Sequence, residues 1–234
     1  MPSLSTSSAP ALQEGTPPGQ ISLWEAAYLR YETPEEEIRK FMGRLKRLGA
    51  REWPVEARIV ELFCGRGNGL HALGRLGFRN LEAVDLSPRL IAQFQGAATR
   101  YVADCRHLPF AGASKDVVIV QGGLHHLPVL PGDLQQTFAE IRRVLKPEGR
   151  VMFVEPWRTP FLNFAHWLWE NPVLRRLSSK LDALATMTEN ERTTYERWLS
   201  VPKMITGMAH EHFEPLREFF AWGKWNFLGR PRPK

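Results

Sequence analysis

The chain has 234 residues, enough for one α/β domain with an addition, and its 43% hydrophobic and 24% charged content suits a globular protein with a buried core. A formal net charge of +6 and an isoelectric point near 9.6 admit a polyanionic partner, yet the basic residues are dispersed: Arg39, Lys40, Arg44, Lys46, Arg47 and Arg51 recur at helical spacing beside Glu35, Glu36 and Glu37. Two cysteines, Cys64 and Cys105, outside any Cys-x-x-Cys pair argue against a disulfide scaffold or a zinc site and fit a cytoplasmic location, and no run approaches the roughly 20 apolar residues of a membrane span.

Residues 1–20 are rich in Ser, Pro, Gly and Ala and read as a disordered leader. They lack the basic and apolar regions of a secretory signal. Residues 21–55 read as a helical cap. Trp24, Ala27, Tyr28 and Tyr31 suggest a short first helix. Thr33-Pro34-Glu35-Glu36 is a helix start, with Thr33 as cap, Pro34 in the first turn and acids at the positive end of the dipole. Ile38, Phe41, Met42, Leu45 and Leu48 then recur at helical spacing until Gly49 stops the helix.

From residue 56 onward the pattern becomes strand, turn, helix, repeated. Strands are predicted over 58–63, 81–84, 101–103, 116–121 and 150–155, with helices at 69–76, after Ser87-Pro88, and over 132–145. Lys146-Pro147-Glu148-Gly149 reads as a turn before the fifth strand. The alternation stops at Pro156. Residues 157–210 are mainly helical and rich in Trp and Phe, and strands at 213–220 and 223–229 close the chain. This predicts an α/β fold: a doubly wound, Rossmann-like, mostly parallel seven-stranded sheet in a domain over 56–234, with N-terminal helices and a helical insertion before the last two strands.

The first strand runs into Glu61-Leu62-Phe63-Cys64-Gly65-Arg66-Gly67-Asn68-Gly69. Glycines there let the backbone turn sharply and approach a ligand, and the following helix aims its first N–H groups at the same point. Alone, such a loop can equally be a plain strand-to-helix connection. Asp85 ends the next strand about 20 residues on, where a carboxylate can accept both ribose hydroxyls of a nucleoside. A phosphate-binding P-loop would need Gly-Lys-Ser/Thr, which is absent, and Leu70 stands where the dinucleotide G-x-G-x-x-G needs its third glycine. Asp104 ends the third strand, where it can accept from an adenine amine, or simply cap a surface turn.

With these segments in order, the chain resembles class I S-adenosylmethionine-dependent methyltransferases of the small-molecule group that includes the ubiquinone- and menaquinone-biosynthesis enzymes. The resemblance rests on residues 60–67, on Ala83-Val84-Asp85-Leu86-Ser87, on Ala103-Asp104-Cys105-Arg106-His107-Leu108-Pro109-Phe110, on Gly122-Gly123-Leu124-His125-His126-Leu127 and on Arg143-Val144-Leu145-Lys146-Pro147-Glu148-Gly149-Arg150. It implies S-adenosyl-L-methionine as cofactor, held by Glu61 near the methionine amino group, by Gly65 and Gly67, and by the Asp85–Leu86 and Asp104–Cys105 pairs. The family motif usually begins acid-x-Gly. Here Phe63 replaces that glycine, and Gly69 is an extra one.

In the same frame, Gln121 ends the fourth strand and either bonds the cofactor or only terminates the strand. Tyr28, with Tyr31, could offer a hydroxyl to the methionine carboxylate, or pack a helix. His125 and His126 follow the fourth strand, near the transferable methyl. Either can act as general base, with His126 favoured as the more distal, or either can fasten the loop. No third ligand stands near them in the sequence, so no metal is expected. The aromatic insertion, with Trp157, Phe161, Phe164, Trp167, Trp169 and Trp198, could line a chamber for an apolar acceptor. Residues 161–168 with Arg175, Arg176 and Lys180 also permit a peripheral membrane contact.

The expected acceptor is a small molecule or lipid, with no nucleic acid partner. RNA or protein methylation, and a catalytically silent cofactor-binding domain, are the competing readings. The sequence does not set the oligomeric state.

Overall fold

The computed structural model describes residues 23–233. The leader expected over residues 1–20 lies outside them. Two helices come first, α1 (Leu23–Tyr31) and α2 (Pro34–Arg47). Thr33 caps α2 in a capping box: its hydroxyl accepts from the Glu36 amide, and the Glu36 carboxylate accepts from the Thr33 amide.

The repeating unit then runs β1 (Ile59–Leu62), α3 (Asn68–Arg75), β2 (Leu81–Asp85), α4 (Pro88–Gln93), β3 (Thr99–Val102), β4 (Lys115–Gln121), α5 (Gly132–Val144) and β5 (Leu145–Pro156). Five helices follow: α6 (Pro160–Glu170), α7 (Pro172–Leu177), α8 (Ser179–Asn190), α9 (Arg192–Ser200) and α10 (Pro202–His212). Strands β6 (Phe213–Ala221) and β7 (Lys224–Pro231) close the sheet in the order β3-β2-β1-β4-β5-β7-β6. β1 to β5 are parallel, and β7 runs antiparallel to both neighbours. This is the architecture expected from the alternation of patterns. One local difference lies in β5, which begins at Leu145 opposite Lys115 and resumes at Arg150 opposite Val117. The predicted turn at 146–149 is thus an irregularity within a strand rather than a loop before it.

Strand alternation divides the core. Val118, Val120, Val151 and Phe153 pack with α5, α9 and α10, while Val117, Ile119, Met152 and Val154 pack with α2 and α3. A third, small cluster joins Ala27 of α1 to Ala183 and Met187 of α8, so the first helix and the insertion pack against each other. Among the described residues, no helix is long and apolar enough to cross a membrane.

Candidate active site

The strand order reverses between β1 and β4, which opens a crevice at the carboxyl ends of the strands. The loop from β1 to α3 enters it through two left-handed glycines, Gly65 (φ +53°) and Gly67 (φ +82°). Gly67 also lies against Phe94, whose ring would stand 2.3 Å from an added Cβ. The extra glycine has its own reason: a Cβ on Gly69 would lie 1.9 Å from Glu61 Oε1.

Glu61 and Gln121 share the α2–α3 face of adjacent strands, because Glu61 pairs in register with Ile119, two residues before Gln121. Both are withdrawn from the apolar pattern of their strands. Glu61 Oε2 and both polar atoms of the Gln121 side chain are buried with no protein partner, as is Arg66 Nε. Unsatisfied buried groups are costly, and several converging at one crevice mark a place built for a polar ligand. Burial, helped by the nearby Glu37 and Asp85 charges, pushes the Glu61 carboxyl up to about 8. An ammonium group beside it would restore its charge.

Asp85 ends β2 beside this loop. Its Oδ2 accepts from the Gly65 amide and its Oδ1 from the Ser87 amide, each at 2.8 Å. The carboxylate therefore holds the glycine loop in place, and each oxygen keeps a second lone pair for a hydroxyl. Ser87 caps α4 by accepting from the Leu90 amide, and Leu86 is 49% exposed next to Asp85, an apolar surface at the crevice.

Asp104 is more committed than its sequence position suggests. Arg106 grips it through Nε at 3.0 Å and Nη2 at 2.6 Å, and bonds Asp133 through Nη1 at 2.8 Å. Burial alone would raise the Asp104 carboxyl, but the Arg106 bonds outweigh it and hold it low. The turn expected at Asp104 is present: its Oδ1 accepts from the Arg106 amide, and it lies past the end of β3. Cys105 is buried with Sγ 3.6 Å from Thr137 Oγ1, and burial pushes its thiol up to about 12.

Tyr28 does not offer a free hydroxyl. It donates to Glu37 at 2.8 and 2.9 Å, and the Arg66 guanidinium lies 4.5 Å from its ring centroid. Glu37 is buried and also accepts from Arg66 Nη2 at 3.0 Å and Asn68 Nδ2 at 2.6 Å. Tyr28 therefore reaches the glycine loop through Glu37, and with its one proton given to Glu37 it has none to donate to a methionine carboxylate.

The two histidines are unlike. His125 is buried, and its Nδ1 donates to Glu155 Oε2 at 2.9 Å. Glu155, fully buried at the end of β5, also accepts from the Gly123 and Leu124 amides at 2.8 and 3.0 Å, so it fixes the whole loop. Burial would depress the His125 imidazolium, but Glu155 and then Glu191 outweigh it and raise the pKa. His126, with 35% of its side chain exposed, is shifted the other way by burial and by the neighbouring His125. Its Nδ1 lies 3.3 Å from Glu191 Oε2, and His125 Nε2 lies 3.9 Å from Glu191 Oε1. Trp24 donates its indole N–H to Glu191 at 3.1 Å, stacks on Tyr28 and meets His126 edge-on. Tyr195 meets His125 edge-on and bonds His166 at 3.2 Å.

The groups around the histidines thus come from both additions to the sheet, but are not the expected aromatics. Trp169 and Trp198 are core residues, and Trp198 donates to the Pro156 carbonyl at 2.9 Å. Phe161, Phe164 and Trp167 face outward, 46%, 55% and 59% exposed. Trp157 packs its ring at a tilt against Phe220 and Trp225 just past the end of β5. Trp24, Glu191 and Tyr195 take the lining positions instead. No local sequence signal singles them out, because each reaches the histidines only through the packing of α1, α8 and α9.

Residues 60–153 match the family model described as a methyltransferase domain. A ubiquinone/menaquinone biosynthesis C-methyltransferase from Geotalea daltonii is 33% identical over 109 residues, covering 44% of this chain and 45% of that protein. The chain thus spans under half the length of this curated relative. Among solved structures, the PH0226 protein of Pyrococcus horikoshii superposes with a TM-score of 0.66 at 20% identity over 91% of this chain and all of that one. The N-methyltransferase NodS from Bradyrhizobium japonicum, solved in complex with S-adenosyl-l-homocysteine, superposes with a TM-score of 0.57 at 14% identity over 87% of this chain and 99% of that one.

Proposed function

From a methyltransferase domain over residues 60–153 set in this fold, we propose that the chain binds S-adenosylmethionine in the β1–β4 crevice and transfers its methyl group to a small-molecule or lipid acceptor. The single observation carrying this reading is the line of acceptors along the crevice: buried Glu61, with Oε2 unpaired, and Gln121 at one end, Asp85 on the glycine loop, and Asp104 beyond it. Glu61 faces the amino group of the methionine moiety. Asp85 takes the ribose hydroxyls. Asp104 and the buried Cys105 bound the adenine side, with Leu86 against the ring. When bound, the cofactor supplies an activated methyl group on a sulfonium.

The chain's own work is alignment and exclusion of water. His125, His126 and Glu191 stand at the acceptor end and handle the acceptor's proton. His125 is spoken for by Glu155, so the expected base role falls to His126. The outward aromatic face of α6 would let a lipid acceptor approach from a surface. Calorimetry with S-adenosylmethionine and S-adenosylhomocysteine tests the cofactor half: saturable binding is expected, and none at sub-millimolar cofactor would remove the reading. Labelled cofactor in a metabolite extract, followed by mass identification of the product, tests the acceptor half. A labelled RNA or polypeptide in place of a small product would overturn it.

A further inference from the structure

We infer that His125, His126 and Glu191 form a site for one divalent transition-metal ion of the zinc, cobalt and iron(II) class, open towards the acceptor chamber. One ligand atom from each lies within 4.8 Å of the others. Around an ion with bonds of about 2.0–2.2 Å, neighbouring ligand atoms stand about 3–3.5 Å apart. Glu191 Oε2 stands 3.3 Å from His126 Nδ1 and its other oxygen, Oε1, 3.9 Å from His125 Nε2, so a side-chain adjustment is needed to bring one oxygen and both nitrogens around one ion. At 3.9 Å that second approach is too long for a hydrogen bond.

The surroundings are those of a ligand set. The ring nitrogen of His125 that faces away from Glu191 is bonded to Glu155 at 2.9 Å, and two loop amides fix that carboxylate. This carboxylate–histidine arrangement points Nε2 at the third ligand and sets its tautomer. Glu191 is held in turn by the Trp24 indole at 3.1 Å. Two carboxylates face two imidazoles in a largely buried place, and a doubly charged cation balances them when both rings are neutral. Two imidazole nitrogens and one carboxylate oxygen suit zinc, cobalt or iron(II) better than magnesium or calcium, which prefer oxygen. Three protein ligands leave a coordination position free, as in sites that do chemistry.

What fills that position rests on the methyl-transfer reading; the ion itself does not. An acceptor hydroxyl of a phenol, enol or hydroxy acid bound there gives up its proton to solvent water near neutral pH, because the ion stabilises the oxyanion. That oxygen then forms the new bond to the methyl carbon as the sulfur–methyl bond breaks. The electron pair of the broken bond stays on sulfur, leaving a neutral thioether. With the ion present the His126 Nδ1 lone pair is taken, so the ion replaces the histidine base.

The test uses full-length, tag-free protein stripped with a chelator. Calorimetric titration with zinc chloride should show one ion per chain with a dissociation constant in the micromolar range or tighter. Cobalt(II) should give visible bands of a four- or five-coordinate nitrogen and oxygen site. Glu191→Gln and His126→Ala should each weaken zinc at least 100-fold, and Glu155→Gln about 10–100-fold by loosening His125. S-adenosylhomocysteine binding, measured on the same variants, should persist and certifies folding. No saturable zinc binding, or binding unmoved in Glu191→Gln and His126→Ala, overturns the site, while S-adenosylhomocysteine binding leaves the methyl-transfer reading standing. Zinc binding without S-adenosylhomocysteine binding removes that reading and leaves the ion.

Discussion

Phe63 rests on Gly123: a Cβ built on Gly123 would stand 2.3 Å from the Phe63 ring. Phe63 also has a left-handed backbone, φ +55°, a conformation for which glycine is the usual residue. The substitution is accommodated across the crevice, where Gly123 follows β4 with no side chain to obstruct the ring. The two positions should therefore be energetically coupled. Gly123→Ala should cost about 1–3 kcal/mol in urea unfolding by overpacking. In a Phe63→Ala background the same change should cost under about 0.5 kcal/mol. Equal costs in both backgrounds would show that the contact carries no energy.

Asp85 holds the loop and, in the proposed complex, the ribose. Asp85→Ala should weaken S-adenosylhomocysteine binding by roughly 100-fold or more, the loss of charged hydrogen bonds worth about 1.5–3 kcal/mol each. Asp85→Asn should retain part of the affinity, since the amide oxygen still accepts from one loop amide. Calorimetry on both variants reads this directly. An unchanged affinity in Asp85→Ala would refute the ribose assignment.

Glu61 sets a pH dependence whose sign is fixed. Its carboxyl is raised to about 8 from the usual 4.5, so between those values the folded protein holds a proton that the unfolded chain releases. The stability contributed is complete below about 4.5 and is lost as pH rises through about 8. Glu61→Gln should therefore show a higher unfolding midpoint than the parent at pH 8 and a flatter profile between pH 5 and 8. Cofactor binding should run the other way. An ammonium beside Glu61 expels its proton, so affinity should rise from pH 6 to 8, and that rise should vanish in Glu61→Gln. Calorimetry in buffers of different ionisation enthalpy should detect the released proton. A flat profile in the parent would contradict the placement of the amino group.

The outward face of α6 makes a further prediction. Phe161 meets Trp222 edge-on at 5.3 Å, Phe164 stacks near Trp167 at 5.9 Å, and Trp222 is 70% exposed. The basic half of the expected membrane contact is largely neutralised, because Arg175 pairs with Asp182 and Glu189, and Lys180 with Glu36. Co-sedimentation with liposomes should therefore depend mainly on the aromatics. Phe164→Ser with Trp167→Ser should cut the bound fraction several-fold, while added salt should matter little. No binding to anionic or neutral liposomes would dismiss the contact.

The sheet was legible because its signals are local. Strand runs with Glu61, Asp85 and Gln121 at or next to their last residue place polar groups at the carboxyl edge whatever the rest of the chain does. The acceptor end was not legible for the opposite reason. Glu191 is far from His126 in sequence and meets it only because α8 folds back on α1. Helical spacing showed that Phe161, Phe164 and Trp167 share a stripe, yet it does not say whether that stripe faces the core or the solvent. Tyr28 was legible as a residue near the crevice but not as a donor to Glu37, whose carboxylate looked like one of three acids at a helix start.

That carboxylate also ties the glycine loop to the residues around the histidines. Glu37 joins the glycine loop, through Arg66 and Asn68, to Tyr28. Tyr28 stacks on Trp24, one helical turn earlier, and Trp24 bonds Glu191. The glycine loop and Glu191 are thereby joined by one unbroken run of side-chain contacts, so a substitution at Glu37 should be felt at both ends of it.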